Sequence, residues 1–320
     1  MSSTEEKTQE QAETPIAQPL SRTARLFGTA WAAVALLTIF TYWQQPAFLN
    51  LATSFRVQLL VLLALLSLPS TVLFKGPRRF LFLAVTLLIS STFLRYFIPS
   101  NAPSGVETAI AVANVYSGNR DLSRLKSWQQ SRPVDILGVL EVSEHHVPLL
   151  RTFGLPHAVF EPRNSNFGVA LLSKLPPLRS LVLDRETAFP SILVEYETYF
   201  VLLIHPVPPV SSEAREIGDG QVQRFAALLA TLAKPCIVMG DINATDWDRR
   251  MEPLKEAGLR DCREGFGILS TWPTQRWWMR IPIDHVLVPE DWAVKACERG
   301  PDIGSDHYPL RAVVCAPSAD

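Results

Sequence analysis

No Cys-X-X-Cys spacing occurs in this chain, and its four cysteines, Cys236, Cys262, Cys297 and Cys315, all fall in the last third. That excludes a zinc knuckle or a dithiol redox motif as the reading of these residues. Cys236 and Cys315 lie in apolar, strand-like runs and are expected to be buried small residues. Cys262 and Cys297 have less apolar neighbours and could pair in an oxidising compartment. An excess of charge of one sign is missing too, with 30 Lys and Arg against 31 Asp and Glu. Residues 105–320 hold 22 basic and 27 acidic side chains and no basic run. A domain gripping long duplex DNA without preference needs a basic face, so this balance weighs against that mode. Residues 1–20 lack aromatics and carry Glu5, Glu6, Glu10 and Glu13. Such a segment buries too little apolar surface to fold and is expected to stay disordered.

Charge is also scarce across residues 26–98, where three apolar runs stand out at 26–43, 57–74 and 80–98. Each is about 18 residues long, near the lower limit for crossing a bilayer core of roughly 30 Å. Arg95 is the one charge inside them, at an end where its stem can snorkel. A signal peptide would need a small-residue cleavage site after the first run. Thr41-Tyr42-Trp43-Gln44-Gln45-Pro46 stands there instead, and suits a membrane interface better. Three transmembrane helices are therefore expected. Arg22 and Arg25 precede the first, and Lys75, Arg78 and Arg79 fill the turn between the second and third. The positive-inside rule puts those ends in the cytoplasm and everything after the third span outside. The partition is a disordered tail at 1–22, a membrane anchor at 23–99, a linker at 100–105 and a folded domain at 106–317. The location implied is the cell (inner) membrane, multi-pass, with that domain on the outer, periplasmic side.

Residues 106–317 read as short β runs between loops and a few helices, without internal repeats. Strands are expected at 106–116, 134–141, 167–173, 191–196, 199–204, 236–239, 283–288 and 308–315, with helices at 122–132 and 220–233. Polar residues recur where strand meets loop: Glu141, His205, Asp241, Asn243 and Asp306. Any one alone would be a turn former or a surface group. Together they equip a site for cleaving a phosphate ester, which needs a cation on the non-bridging oxygens, a base for water and help for the leaving oxygen. Magnesium takes a few carboxylate oxygens and keeps waters, so Glu141 and Asp306 are the expected metal ligands. Asp284 is expected to fix the tautomer of His307 and steady its cation. Asp241 and Asn243 alternate across Ile242, so both can face one cleft, Asp241 to handle the attacking water and Asn243 to donate to a phosphoryl oxygen.

Asn114, the Glu141 strand end, Ile204-His205-Pro206, Gly240-Asp241-Ile242-Asn243, Ile283-Asp284-His285 and Gly304-Ser305-Asp306-His307 occur in an order that resembles the endonuclease/exonuclease/phosphatase superfamily. The stretch from Gly265 through Thr271-Trp272-Pro273 also resembles bacterial members with an N-terminal membrane anchor. The resemblance implies an α+β, four-layer α/β/β/α sandwich of the deoxyribonuclease I type. It implies Mg2+ or Mn2+ on Glu141, with Asn114 close by and Asp306 completing the site. It implies His205 against the scissile phosphate, Asp241 and Asn243 beneath it, and His307 with Asp284 as a second catalytic pair. Asn166 falls where some nucleases of the family have a Glu supporting the first histidine. The substrate implied is a phosphodiester of nucleic acid, with a phospholipid as the alternative and a non-catalytic membrane binding protein as the third. His145 and His146 are expected to point apart, and His285 to face the core. Trp272, Trp277 and Trp278 form either a substrate- or membrane-facing rim or simple packing.

Overall fold

The computed structural model describes residues 20–42, 50–99 and 105–317. The expected tail up to residue 19, the interfacial segment at 43–46 and the linker at 100–104 lie outside the described residues. Within the C-terminal domain, period-two alternation sets the layers. Along β1 (Glu107–Asn114), Ile110 and Val112 enter one core while Ala111 and Ala113 enter another. The same alternation runs along β2 (Ile136–Leu140), β4 (Val169–Ser173), β7 (Phe200–Ile204), β8 (Cys236–Asp241) and β10 (Asp284–Pro289), which are almost wholly buried. Strands buried on both faces need long apolar stretches, and these have them up to the site end, where β8 finishes in Asp241 and β10 starts with Asp284 and His285.

Two six-stranded mixed sheets result. One has the order β11-β12-β1-β2-β4-β3, with β3 at His157–Glu161, β11 at Ala293–Arg299 and β12 at Leu310–Cys315. The other has the order β5-β6-β7-β8-β10-β9, with β5 at Arg179–Leu183, β6 at Ser191–Glu195 and β9 at Leu259–Asp261. Their facing sides share a core that includes Ile110, Leu140, Val201, Met239 and Val286. The outer face of the first sheet is covered by Leu125 and Trp128 of α5 (Ser123–Ser131) and Leu150 of α6 (His146–Leu150). Val222 and Phe225 of α7 (Ser212–Leu229) and Leu254 of α8 (Glu252–Glu256) cover the second. This is an α+β sandwich of four layers, α/β/β/α, as the resemblance implies.

The strands the sequence reading did not anticipate are β3, β5, β9 and β11, the outermost strands of the two sheets. α7 begins at Ser212 rather than Gly220, with Ser211 Oγ accepting from the Ala214 amide at 3.1 Å. Gly218 lies inside that helix because a Cβ there would fall 2.4 Å from the Val207 carbonyl. Cys262 and Cys297 are buried free thiols with their sulfurs 2.9 Å apart.

The N-terminal part forms α1 (Arg22–Phe40), a short α2 (Asn50–Ser54), α3 (Arg56–Leu73) and α4 (Arg78–Ser90), which runs on as a 3-10 turn over Ser91–Tyr96. Polar side chains pin the three long helices from within. Trp31 Nε1 donates to Ser67 Oγ at 2.8 Å, and Ser67 Oγ meets Thr86 Oγ1 at 2.7 Å. Their outward faces are apolar, with Val72 85% and Leu88 72% exposed. Arg22–Phe40 and Arg79–Tyr96 are long and apolar enough to cross a membrane, by length and composition only; the middle apolar stretch, Arg56–Ser70, is shorter. Two of the three expected spans thus meet that measure, and the first starts at Arg22 rather than beyond it.

One end of this helical unit is joined to the C-terminal domain. The Gly265 and Gly267 amides donate to the carbonyls of Arg95 and Tyr96 at 2.9 and 2.6 Å. Arg95 pairs with Asp246 at 2.6 Å, and Trp247 Nε1 donates to the Thr53 carbonyl at 2.7 Å.

Candidate active site

Strand register brings the polar strand ends together. β1 and β2 run parallel with Asn114 beside Leu140, so Asn114 and Glu141 leave the first sheet at the same edge. β7 and β8 run parallel with Ile204 beside Gly240, which sets His205 next to Asp241. β10 is antiparallel to β8 and pairs Asp284 with Asp241 directly. β12 is antiparallel to β1, so the loop before it carries Asp306 and His307 to that edge as well. A Cβ on Gly240 would sit 1.9 Å from the Ile204 carbonyl, so only glycine lets β7 and β8 approach this closely beneath the site. Gly240→Ala is expected to cost at least the roughly 1–3 kcal/mol typical of overpacking, seen as a lower unfolding midpoint. An unchanged midpoint would refute the fit described.

Asp241 stands at the centre. Its Oδ2 accepts from Asn114 Nδ2 at 3.2 Å and lies 3.7 Å from both His205 Nε2 and His307 Nε2. Its Oδ1 accepts from the Asn243 amide at 3.0 Å. Asn114 Nδ2 also donates to Glu141 Oε1 at 3.1 Å, tying the two sheets' contributions together. Asp284 Oδ2 meets His307 Nδ1 at 2.9 Å, as the sequence pairing anticipates. Glu141 and Asn243 adopt left-handed backbone angles, φ 59° and 53°, at the two strand ends. A non-glycine residue held there is uncommon, and such strain concentrates at functional sites.

Burial and neighbouring charge tune these groups. Burial pushes Asp241 up to about 7, with Asp284 adding to the rise and His307 opposing it. Burial disfavours the His307 cation, yet Asp284 and Asp241 outweigh it and lift His307 to about 10. His205 is driven down to about 4 by burial and by the His307 charge, against the Asp284 charge and the Asn166 backbone. Asp284 would be raised by burial, but the charge and hydrogen bond of His307 hold it below the usual carboxylate value. The two histidines therefore stand in opposite protonation states near neutrality. Environments that push paired groups apart are how one site supplies both an acid and a base.

Among the described residues, Asp241, Asp284 and His307 form a buried group whose ligand atoms lie within 4.8 Å of one another. A protonated imidazole is no metal ligand, so His307 reads here as Asp284's partner. Glu141 and Asp306 remain the harder oxygen donors. Glu141 Oε2 accepts from the Ser117 amide at 3.0 Å, and Asp306 Oδ2 from Trp272 Nε1 at 3.0 Å. Asp306 Oδ1 is buried without a hydrogen-bond partner among the described residues.

Other expectations change in detail. The Asn166 Oδ1 accepts from Ser117 Oγ at 2.7 Å. Asn243 Nδ2 donates to the Pro206 carbonyl at 3.1 Å, while Ile242 packs into the outer core behind it. His145 and His146 do not point apart: both rings meet the Asn119 carbonyl, at 3.0 and 2.5 Å. His285 is in the core, its Nδ1 2.5 Å from Asp261. Sequence reasoning missed Ser117, which bridges Glu141 and Asn166, and Thr271, whose hydroxyl the Asp284 amide meets at 3.4 Å. Ser117 carries no local signal, being an ordinary hydroxyl in a loop, whereas Thr271 stands in the Thr271-Trp272-Pro273 stretch and could have been found there.

Residues 111–307 match a family model described as the Endonuclease/Exonuclease/phosphatase family. A comparison with curated proteins finds no match. Among solved structures, the Neisseria 3′ phosphatase NExo bound to a product DNA hairpin is similar at 18% identity and TM-score 0.54, over 64% of this chain and 98% of that one. The 3′-5′ exonuclease NExo from Neisseria meningitidis is similar at 19% identity and TM-score 0.54, over 64% and 98%. A humanized D. rerio TDP2 is similar at 16% identity and TM-score 0.54, over 66% and 99%. At these identities the likeness is one of fold.

Proposed function

Because the chain belongs to the endonuclease/exonuclease/phosphatase family, we propose that it is a membrane-anchored, metal-dependent phosphoesterase that hydrolyses phosphodiester bonds in a nuclease-like reaction. The observation that carries this reading is Asp241 Oδ2, shared among His205, His307 and Asn114 with Asp284 behind His307. Asp241, raised toward neutrality, takes the proton of the attacking water. His307, charged and oriented by Asp284, meets the phosphate oxygens or protonates the leaving group. Asn243, Asn114 and neutral His205 complete the phosphate pocket. A non-catalytic protein has no use for so complete a relay.

Glu141 and Asp306, with the orphaned Asp306 Oδ1, fit a hard divalent cation, and Mg2+ or Mn2+ is the ion proposed. When bound, it would neutralise non-bridging phosphate oxygens.

Membrane anchoring is supported by the outward apolar faces of α1, α3 and α4, joined internally by hydroxyl and indole hydrogen bonds. Soluble helices bury such faces, whereas helices in lipid expose them and turn small polar groups inward. We read all three as crossings, the middle one included. A Cβ on Gly28 would come within 3.3 Å of the Phe74 ring, so the start of α1 lies by the end of α3. Arg22, Arg25, Lys75 and Arg79 then share the end away from the C-terminal domain. The positive-inside rule favours that domain on the outer side. The anchor favours a second reading, in which the phosphodiester is that of a phospholipid.

Detergent-extracted full-length protein with Mg2+ or Mn2+ should be assayed against single- and double-stranded DNA, RNA, phospholipids and a phosphomonoester. Cleavage of one class is expected, lost with EDTA and in Asp241→Ala and His307→Ala. Activity that survives EDTA and both substitutions, or none on any class by folded protein, would overturn the reading.

A further inference from the structure

Between α3 and the C-terminal domain lies a cavity of about 880 Å³ that touches none of the residues proposed for catalysis. One wall is the apolar face of α3, with Val57, Val61, Leu62 and Leu65. Opposite stand Trp277 and Trp278, which are 74% and 58% exposed. A soluble protein seldom leaves adjacent tryptophans so open unless something covers them. The polar end of the cavity carries Arg280 and Arg299. Both guanidinium groups lie over one ring, that of Tyr308, at 4.9 and 4.5 Å from its centroid.

Every hydrogen-bond partner of these arginines is neutral. Arg280 donates to the Pro273 and Thr274 carbonyls and to Tyr308 Oη, and Arg299 to the Ser270 carbonyl at 3.0 Å. Among the described residues neither pairs with a carboxylate. Glu298 also lines the cavity, but its Oε1 is taken by Arg311 at 3.2 Å and Arg132 at 3.9 Å. Two like charges on one ring, facing apolar walls, call for an anion with an apolar body. Gln58 ties the α3 wall to the polar end: its Nε2 donates to the Arg280 carbonyl at 2.8 Å.

We propose that this cleft binds an anionic glycerophospholipid, its phosphate on Arg280 and Arg299 and an acyl chain between α3 and the tryptophans. The inference rests on the reading of the N-terminal helices as membrane-embedded. The site is separate from the phosphoesterase centre, though Tyr308 follows His307 directly, so an occupant braces the loop carrying that histidine.

The test uses full-length protein, checked first for retention in alkaline-washed membranes. It is then delipidated in mild detergent and titrated with dioleoyl phosphatidylglycerol or dioleoyl phosphatidylcholine under native mass spectrometry. Preferential phosphatidylglycerol adducts are expected. Arg299→Gln, at an exposed position, should weaken them roughly tenfold, the equivalent of one charge-assisted hydrogen bond. Arg299→Lys should recover part of that loss. Val61→Trp, which fills the cavity and leaves both charges, should abolish them. Equal binding of the two lipids, or adducts indifferent to Arg299→Gln and Val61→Trp, would overturn the lipid site while leaving the anchor. Release of the chain by the alkaline wash would overturn the membrane reading, and the site with it.

Discussion

Asp284→Asn is expected to lower kcat by about 10²–10⁴-fold, the range for losing general acid–base catalysis or the carboxylate that orients it. Asp284 Oδ2 holds His307 Nδ1 at 2.9 Å in a fully buried position, and its charge leads the effects that lift His307 to about 10. A carboxamide keeps the shape and removes the charge. His307 should then titrate well below its present value, and the alkaline limb of the pH–rate profile should move to lower pH. Ring resonances of His307 in metal-free protein separate this from misfolding. They should show a cation through neutrality in the wild type and titration at lower pH in the variant. The same pairing carries a stability signature. The raised pKa of His307 contributes stability that is complete below about 6.5 and is lost as pH rises through about 10. The depressed pKa of Asp284 contributes stability that is complete above about 4 and lost as pH falls. The variant should therefore lose most between those two values. An unchanged His307 titration, or kcat within a factor of about two, would refute the relay.

Asp261→Asn should give the largest loss of stability, about 3–5 kcal/mol, because it strips the partner from a buried cation. Arg263 is fully buried, and its Nη1 lies 3.1 Å from Asp261 Oδ2. The same carboxylate meets His285 Nδ1 at 2.5 Å and accepts the Arg263 amide at 2.8 Å. Burial alone would raise Asp261, but Arg263 and then His285 hold it well below the usual carboxylate value. Its stabilisation is present above about 4 and lost as pH falls through the folded value, so the gap to the variant should close in acid. A fall in unfolding midpoint of roughly 6–20 °C is expected near neutrality. Arg263 Nη2 donates to the Asp284 carbonyl, so activity should decline alongside. A midpoint shift under about 2 °C would show that the network is dispensable.

The two predictions differ in how far the sequence foretold them. Asp284 and His307 sit in Ile283-Asp284-His285 and Gly304-Ser305-Asp306-His307, and their pairing is legible in the sequence alone. Asp261 and Arg263 gave no such signal: β9 is three residues long at a sheet edge, and its partner His285 comes from a distant segment. The same reason explains the other strands that went unread. β3, β5 and β11 are sheet edges with wet positions whose mixed composition dilutes the apolar run by which a strand announces itself, and β9, largely buried, is too short to show one. Asn166 shows what position in the motif order leaves open. Its place in the order suggested support for His205, yet its side chain turns to Ser117, a choice made by the loop's path.

What the sequence determined by itself is the set of local chemistries: which runs are apolar on both faces, which polar groups end them, and that three apolar runs stand before the folded domain. Those follow from side-chain polarity and backbone freedom within a few residues. Only the tertiary structure decided distances and protonation. Parallel register at β1–β2 and β7–β8, antiparallel register at β10, and the stacking of two sheets bring Asp241 within 3.7 Å of two histidines. Burial lowers both, but the Asp284 and Asp241 charges lift His307 to about 10, while His205, beside that cation, falls to about 4. Coulomb interactions grow as the dielectric falls and the separation shrinks, and both are properties of the packed chain alone.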